Sequence, residues 1–331
     1  MLKNKFPDSC SVCMNRVDAD LPSDIDHWDS VFDKHPLDIS VDSGNSTGGP
    51  IFLDYRPGNE CNLKCRMCSP EHSSQIEKEV RDNQELDGLY GNSKEDVDDI
   101  SSELHTFVEN IQVKELRVLG GEPTIDKQVF SFLSHIVNTK SELPSLRMTI
   151  NATNLNKKFQ DLLSKFKGKT MLSFSIDGTG KTYEYIRTNA RWDNVKSNVE
   201  RIVGSSVSRT YNINIVLTPY NMYNMPELLD WIRTLTNINS RISIYAVNSE
   251  GNKTSMAAIL PDDMKLYIES IEKWIYDNGN SIDGVDNLLS TIKSIEFSQK
   301  VHDKFKKFNN MLDKIRNTSI VDVDARFARY I

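Results

Sequence analysis
From residue 51 to about residue 250, short β-rich runs alternate with segments whose apolar residues recur at helical spacing. No other feature constrains the fold as strongly. The β-rich runs are 51–56 (Ile-Phe-Leu-Asp-Tyr-Arg), 114–119 (Lys-Glu-Leu-Arg-Val-Leu), 146–151, 170–176, 211–217 and 241–247. Between them lie stripes such as Val129, Phe132, Leu133, Ile136 and Val137, or Leu228, Leu229, Ile232 and Leu235, each covering one face of a helix. Strand, helix and strand in succession make a parallel βαβ unit, and right-handed crossovers wind such units into a curved sheet. Six strands are two short of an eightfold barrel, so the expected fold is α/β, a partial (β/α)6 TIM-like barrel.

The flanks read differently. Residues 1–50 are rich in Asp, Ser, Pro and Gly and read as a short irregular amino-terminal segment ending in a linker, Asp42 to Pro50. The polar stretch 83–98 reads as an insertion between the first helix and the second strand. Beyond residue 250 the pattern becomes a helical carboxy-terminal extension, where Phe297, Val301, Phe305, Phe308, Leu312 and Ile315 step along one apolar face whose default partner is the barrel. The expected organisation is therefore 1–50, 51–250 and 251–331.

Hydrophobic residues make up 38% and charged residues 26% of the 331, which is ordinary globular composition and argues against disorder and fibrous repeats. No apolar run approaches the roughly 18 residues of a membrane span, and the first residues hold no signal-peptide core, so a cytoplasmic protein is expected. A net charge of −7 speaks against nucleic-acid binding by a broad basic surface. The charge is uneven: residues 1–50 carry nine Asp against four Lys or Arg, and residues 293–331 carry nine Lys or Arg against five acids. The basic tail reads as a solvated helix face, with contact to an acidic partner as the alternative.

All five cysteines, Cys10, Cys13, Cys61, Cys65 and Cys68, fall in the first 68 residues. An odd count at short spacing points to metal ligation in a reducing compartment and away from a disulfide framework. Cys61-Asn-Leu-Lys-Cys65-Arg-Met-Cys68 has the spacing C-x3-C-x2-C and follows the first strand, at the strand end where αβ barrels place their active sites. Three thiolates on one loop can cap three irons of a [4Fe-4S] cube and leave the fourth iron open. A structural zinc site normally wants four closed ligands, which suits this triplet poorly.

The triplet resembles the signature of the radical SAM superfamily, C-x3-C-x-aromatic-C, with Met67 standing where the family usually has an aromatic residue; Met67 can lie flat against an adenine as a polarizable apolar contact. The second strand then runs into Gly120-Gly121-Glu122-Pro123, similar to the family's GGEP motif. Glycines allow close backbone approach to a ligand there, and a strand-end carboxylate can accept hydrogen bonds from an ammonium group. The resemblance implies that Gly120, Gly121 and Glu122 hold the methionyl amino group of S-adenosyl-L-methionine. It implies that Ser175 and Asp177, at the end of the fourth strand, bond the ribose, with an ordinary turn as the alternative for Asp177-Gly178. Arg187 is implied as partner of the cofactor carboxylate, with a surface arginine as its alternative. The third strand ends in Asn151-Ala-Thr-Asn154, near where relatives carry Thr-Asn-Gly, and Asn248 ends the sixth. No histidine pair has metal-ligand spacing, and no Walker or dinucleotide fingerprint is present.

By the same resemblance, an external electron donor reduces the cluster, S-adenosylmethionine is cleaved, and a 5′-deoxyadenosyl radical abstracts hydrogen from a substrate. The amino-terminal Cys10-Ser-Val-Cys13 resembles the end of the SPASM or twitch auxiliary-cluster region that precedes the barrel in one, often phage-encoded, subgroup. Such relatives act on peptides or proteins, which makes that the expected substrate class. The pair would form a second metal site only with further ligands, from a partner chain or from His27, His35 or an acid; two inert thiols are the alternative. An iron-sulfur electron carrier or sensor, and a zinc-stapled binding protein, are the rival functional readings.

Overall fold
Side chains along a strand alternate between its two faces, so the pattern of burial shows what each face of a sheet meets. The protein is described by a computed structural model covering residues 51–90, 101–166, 168–205, 207–239, 242–249 and 253–331, together with Asp33. Its strands are β1 Phe52–Tyr55, β2 Lys64–Cys65, β3 Glu115–Val118, β4 Ser145–Ile150, β5 Thr170–Ser175, β6 Arg187–Thr188, β7 Thr210–Leu217 and β8 Ile242–Asn248. Its helices are α1 Ser74–Asp82, α2 Asp87–Tyr90, α3 Ser101–Asn110, α4 Lys127–Thr139, α5 Lys157–Ser164, α6 Gly180–Ile186, α7 Trp192–Gly204, α8 Met225–Ile238, α9 Pro261–Asn278, α10 Val285–Lys293 and α11 Gln299–Arg316.

Six strands form one parallel sheet in the order β1-β3-β4-β5-β7-β8, each the neighbour of its predecessor in the chain. This is the expected α/β architecture, and the sheet is open: β1 and β8 are its edges. In β7, Tyr211, Ile213, Ile215 and Leu217 are buried on the helix side, while Thr210, Asn212, Asn214 and Val216 face the other way. Leu146, Met148 and Ile150 of β4 meet the same helix layer. Strands buried on both faces read as continuous apolar runs; these alternate because their inner face borders a polar hollow.

The helix stripes fill the outer layer as their spacing predicts. Val129, Phe132, Leu133 and Ile136 of α4 are buried, as are Leu228, Leu229, Ile232 and Leu235 of α8. Polar caps start the helices: Asp126 accepts from the backbone of Gln128 and Val129, and Asn156 from Phe159.

Two features depart from the sequence expectation. A two-stranded antiparallel sheet, β2 with β6, pairs Lys64 with Thr188 and Cys65 with Arg187; two residues are too short to carry a periodic signal. Phe297 does not belong to the apolar stripe of α11, because the helix starts only after the N-cap Ser298 and leaves Phe297 37% exposed against the ring of His302. Phe305, Phe308 and Leu312 are buried as expected. Cys10, Cys13, His27, His35 and residues 91–98 of the polar insertion lie outside the described residues.

Candidate active site
The cysteine loop leaves β1 and is laced to the end of β3 through backbone alone. Leu119 N donates to Tyr55 O at 3.1 Å, Gly121 N to Gly58 O at 3.1 Å and Glu122 N to Glu60 O at 2.7 Å. A Cβ on Gly121 would sit 2.3 Å from Glu60 O, and one on Gly120, whose φ is +130°, 2.9 Å from Gly58 O. The close approach that these glycines permit is thus first to the chain's own backbone.

The loop is tied down on further sides. Ser73 caps α1 by accepting from Ile76 N and donates to Leu63 O at 2.7 Å. Asn151, at the end of β4, donates to Asn62 Oδ1 at 2.9 Å, and Asn62 donates to Thr153 Oγ1 at 2.8 Å. The bridge Cys65↔Arg187 fixes the centre of the loop.

This lacing places Cys61, Cys65 and Cys68 on the wall of a cavity of about 440 Å³, together with Met67, Gly120, Gly121, Glu122, Ser175 and Arg187. Six residues from the loop, the turn after β3, β5 and β6 that the sequence singles out separately therefore share the cavity with the three cysteines. Asp177 does not line it. Its carboxylate is fully buried, with one oxygen 2.8 Å from Arg187 Nε and the other accepting from Val216 N at 2.7 Å. Asp177 therefore aims Arg187, whose Nη1 lies 3.5 Å from Cys65 Sγ. Asn248 is likewise engaged elsewhere, accepting from Met256 N at 3.2 Å. Thr149, Asn151 and His72 line the cavity as well; the strand-end position of Asn151 was the sequence signal for it, whereas nothing marked His72 or Thr149.

Burial sets the electrostatics. It pushes the Cys61 thiol up to about 11 and the Cys68 thiol up to about 12, and raises Cys65 too, with the Arg187 cation pulling the other way at each. Three such thiols become thiolates only beside cationic charge, which a bound metal group supplies. Burial also pushes Glu122 up to about 7, against hydrogen bonds from Thr124 and from Asn151 N, the latter at 2.6 Å. A ligand ammonium beside Glu122 would favour its charged form.

The donor set suits a cluster. One zinc ion bound at about 2.3 Å by each thiolate needs sulfurs within roughly 4 Å of one another. Among the described residues no group of three or more His, Cys, Asp or Glu side chains is arranged to hold a single metal ion. The three thiols border a common space; a cube would take each thiolate on a different iron.

The architecture is an open, parallel six-stranded αβ sheet with a thiol-lined cavity at the carboxy-terminal ends of its strands. The chain belongs to the radical SAM superfamily, whose model matches residues 55–232, more than half of its length. It is 25% identical over 177 residues to the GTP 3′,8-cyclase of Paenarthrobacter nicotinovorans, covering 52% of this chain and 45% of that protein. It is 25% identical over 185 residues to the GTP 3′,8-cyclase of Brucella abortus (strain S19), covering 54% and 48%. The chain thus spans about half the length of the curated relatives it matches. Among solved structures, Streptococcus suis SuiB bound to S-adenosylmethionine aligns with a TM-score of 0.47 at 18% identity, over 77% of this chain and 52% of that one. The enzyme anSMEcpe with bound AdoMet and the Cp18Cys peptide aligns with a TM-score of 0.45 at 17% identity, over 70% and 62%. Among the described residues no helix is long and apolar enough to cross a membrane.

Proposed function
We propose that the chain is a radical SAM enzyme that holds a [4Fe-4S] cluster on Cys61, Cys65 and Cys68 and S-adenosyl-L-methionine beside it. The observation that carries this reading is the convergence of the three thiols with Gly120, Gly121, Glu122 and Arg187 on one cavity. When bound, the two cofactors supply hydrogen-atom abstraction driven by reductive cleavage of S-adenosylmethionine. The chain's own residues bind, orient and exclude solvent. Glu122 would accept hydrogen bonds from the cofactor's ammonium, and Arg187, aimed by Asp177, would pair with its carboxylate. Ser175 would bond a ribose hydroxyl and Met67 would pack on the adenine, both residues lining the cavity.

For the substrate we propose a peptide or protein, on the likeness of the Cys10/Cys13 segment to SPASM and twitch regions. That pair would hold an auxiliary metal site once further ligands, from this chain or a partner, join it. The curated relatives are named for GTP, which makes GTP the comparison substrate.

The test is anaerobic reconstitution of wild type and Cys65→Ala, with iron, sulfide and zinc counted and 5′-deoxyadenosine measured under a strong reductant. About four irons and 5′-deoxyadenosine formation in wild type, with formation lost in Cys65→Ala, is the expected result. Stoichiometric zinc without iron would establish a metal-stapled binding protein instead. A cluster whose spectrum ignores S-adenosylmethionine would establish an electron carrier or sensor.

A further inference from the structure
Strand pairing decides which way the side chains of the cysteine loop point. Cys65 pairs with Arg187 and turns to the cavity, so its neighbours Lys64 and Arg66 turn to the opposite side. There Arg66 meets the carboxy-terminal helix, and Lys64 meets Glu79 of α1. Arg66 is fully buried. Its Nε donates to Tyr185 O at 3.1 Å, its Nη1 to Asn309 Oδ1 at 3.1 Å, and its Nη2 to Asp313 Oδ1 at 2.5 Å and Thr318 Oγ1 at 2.9 Å. Its guanidinium carbon stacks 3.6 Å from the Tyr185 ring centroid. Lys64 Nζ meets Glu79 at 2.7 Å, and the same carboxylate takes Arg316 at 2.6 Å, while Arg316 also donates to Lys64 O at 3.0 Å.

A guanidinium withdrawn this completely from water persists only where its donors are matched, so the partners and the loop hold each other in one geometry. Asp313 couples that geometry to the end of the helix. Its backbone carbonyl accepts from Thr318 N at 3.0 Å and its Oδ2 from Ile320 N at 3.0 Å, around Asn317 in the left-handed region at φ 50°. One carboxylate thus closes the helix and seats the arginine that separates Cys65 from Met67 and Cys68.

We propose that α11 and its terminal turn form a positioning latch for the cluster-binding loop, in which Asp313 and Asn309 act through Arg66, and Arg316 acts through Glu79 and Lys64, to set the orientation of Cys65 and Cys68. The inference rests on the proposed function for what the loop binds, but its first readout does not. Asp313, Asn309 and Arg316 are positioning residues; none of them lines the cavity.

The experiment uses the whole chain with Cys10→Ser and Cys13→Ser, so that only the loop thiols react. Anaerobic modification of the metal-free protein by a disulfide reagent is followed in this background and in Asp313→Asn, Asn309→Ala and the outward-facing control Lys314→Ala. The latch predicts at least tenfold faster thiol reaction in Asp313→Asn, a smaller rise in Asn309→Ala and no change in Lys314→Ala, all with unchanged circular dichroism. After reconstitution it further predicts a weakened or lost S-adenosylmethionine-induced change in the cluster's paramagnetic resonance spectrum for Asp313→Asn. A purely structural role would lower the melting temperature without moving either readout, and that outcome would overturn the proposal. Should Asp313→Asn fail to fold, Asn309→Ala and Thr318→Val carry the same comparison. A wild type that takes up no iron would defeat the proposed function and leave the thiol rates to judge the latch.

Discussion
Glu122 sits in an environment that penalises its own charge. It is 2% exposed, and burial raises it to about 7 despite three hydrogen bonds. The folded protein therefore holds a proton on Glu122 that the unfolded chain releases near the ordinary carboxylate value. The stability this contributes is fully present below that value and is lost as pH rises towards 7. The loss amounts to roughly 3 kcal/mol at 1.36 kcal/mol per unit. Urea denaturation of the metal-free protein between pH 4.5 and 8 should show this decline in wild type and a much flatter profile in Glu122→Gln. An equal slope in the two proteins would mean that Glu122 does not titrate in that window. The glycines before it have a structural cause that the motif alone did not show. Their sequence suggested room for a ligand, whereas the first backbone they admit is that of residues 58–60. Asp177 is the converse case: its type suggested a ligand contact, but full burial beside Arg187 makes it an orienting partner.

Helix α11 shows why elements are legible on one face and not on the other. Its apolar stripe follows from spacing, and it leads to a direct expectation. Leu312 is fully buried in a small cluster with Leu86 and Phe308, so Leu312→Ala should cost about 3 kcal/mol in urea denaturation. Lys314, 76% exposed and 3.7 Å from Glu85, itself 63% exposed, should tolerate Ala within about half a kcal/mol. Similar losses in both variants would mean that the helix is not seated as described. The polar face gave no such signal. Asn309, Asp313 and Arg316 are unremarkable as helix residues, and their partners Arg66 and Glu79 lie more than two hundred positions away in sequence. Periodicity records what a helix buries against water and says nothing of which distant polar group it meets. The same holds for β2 and β6, whose two-residue pairing is created by tertiary contact.

At the scale of the whole molecule, the alternation of side chains along each strand separates the two jobs of the sheet. The outer face is core: Ile213 is fully buried under the helices. The inner face carries Thr149, Ser173, Asn212 and Ser243 across four neighbouring strands in register, with Ser243 donating to Asn212 at 2.6 Å. The parallel α/β architecture was readable because strands that alternate with helices make βαβ units. What the inner side encloses was not readable, because polar residues at period two look the same whether they face bulk water or an enclosed hollow. Adjacent substitutions on β7 distinguish core from hollow. Ile213→Ala removes packed methylene groups and should lose about 3 kcal/mol of stability in urea denaturation, as buried aliphatic truncations do. Asn212→Ala, one residue earlier, exchanges an amide on the inner wall for space that water can fill and should lose less than about 1 kcal/mol. If Asn212→Ala proved as costly as Ile213→Ala, the inner face would be a second packed core. No substrate could then approach the cysteine loop across it, and the cavity beside Glu122 would have to be entered from another side.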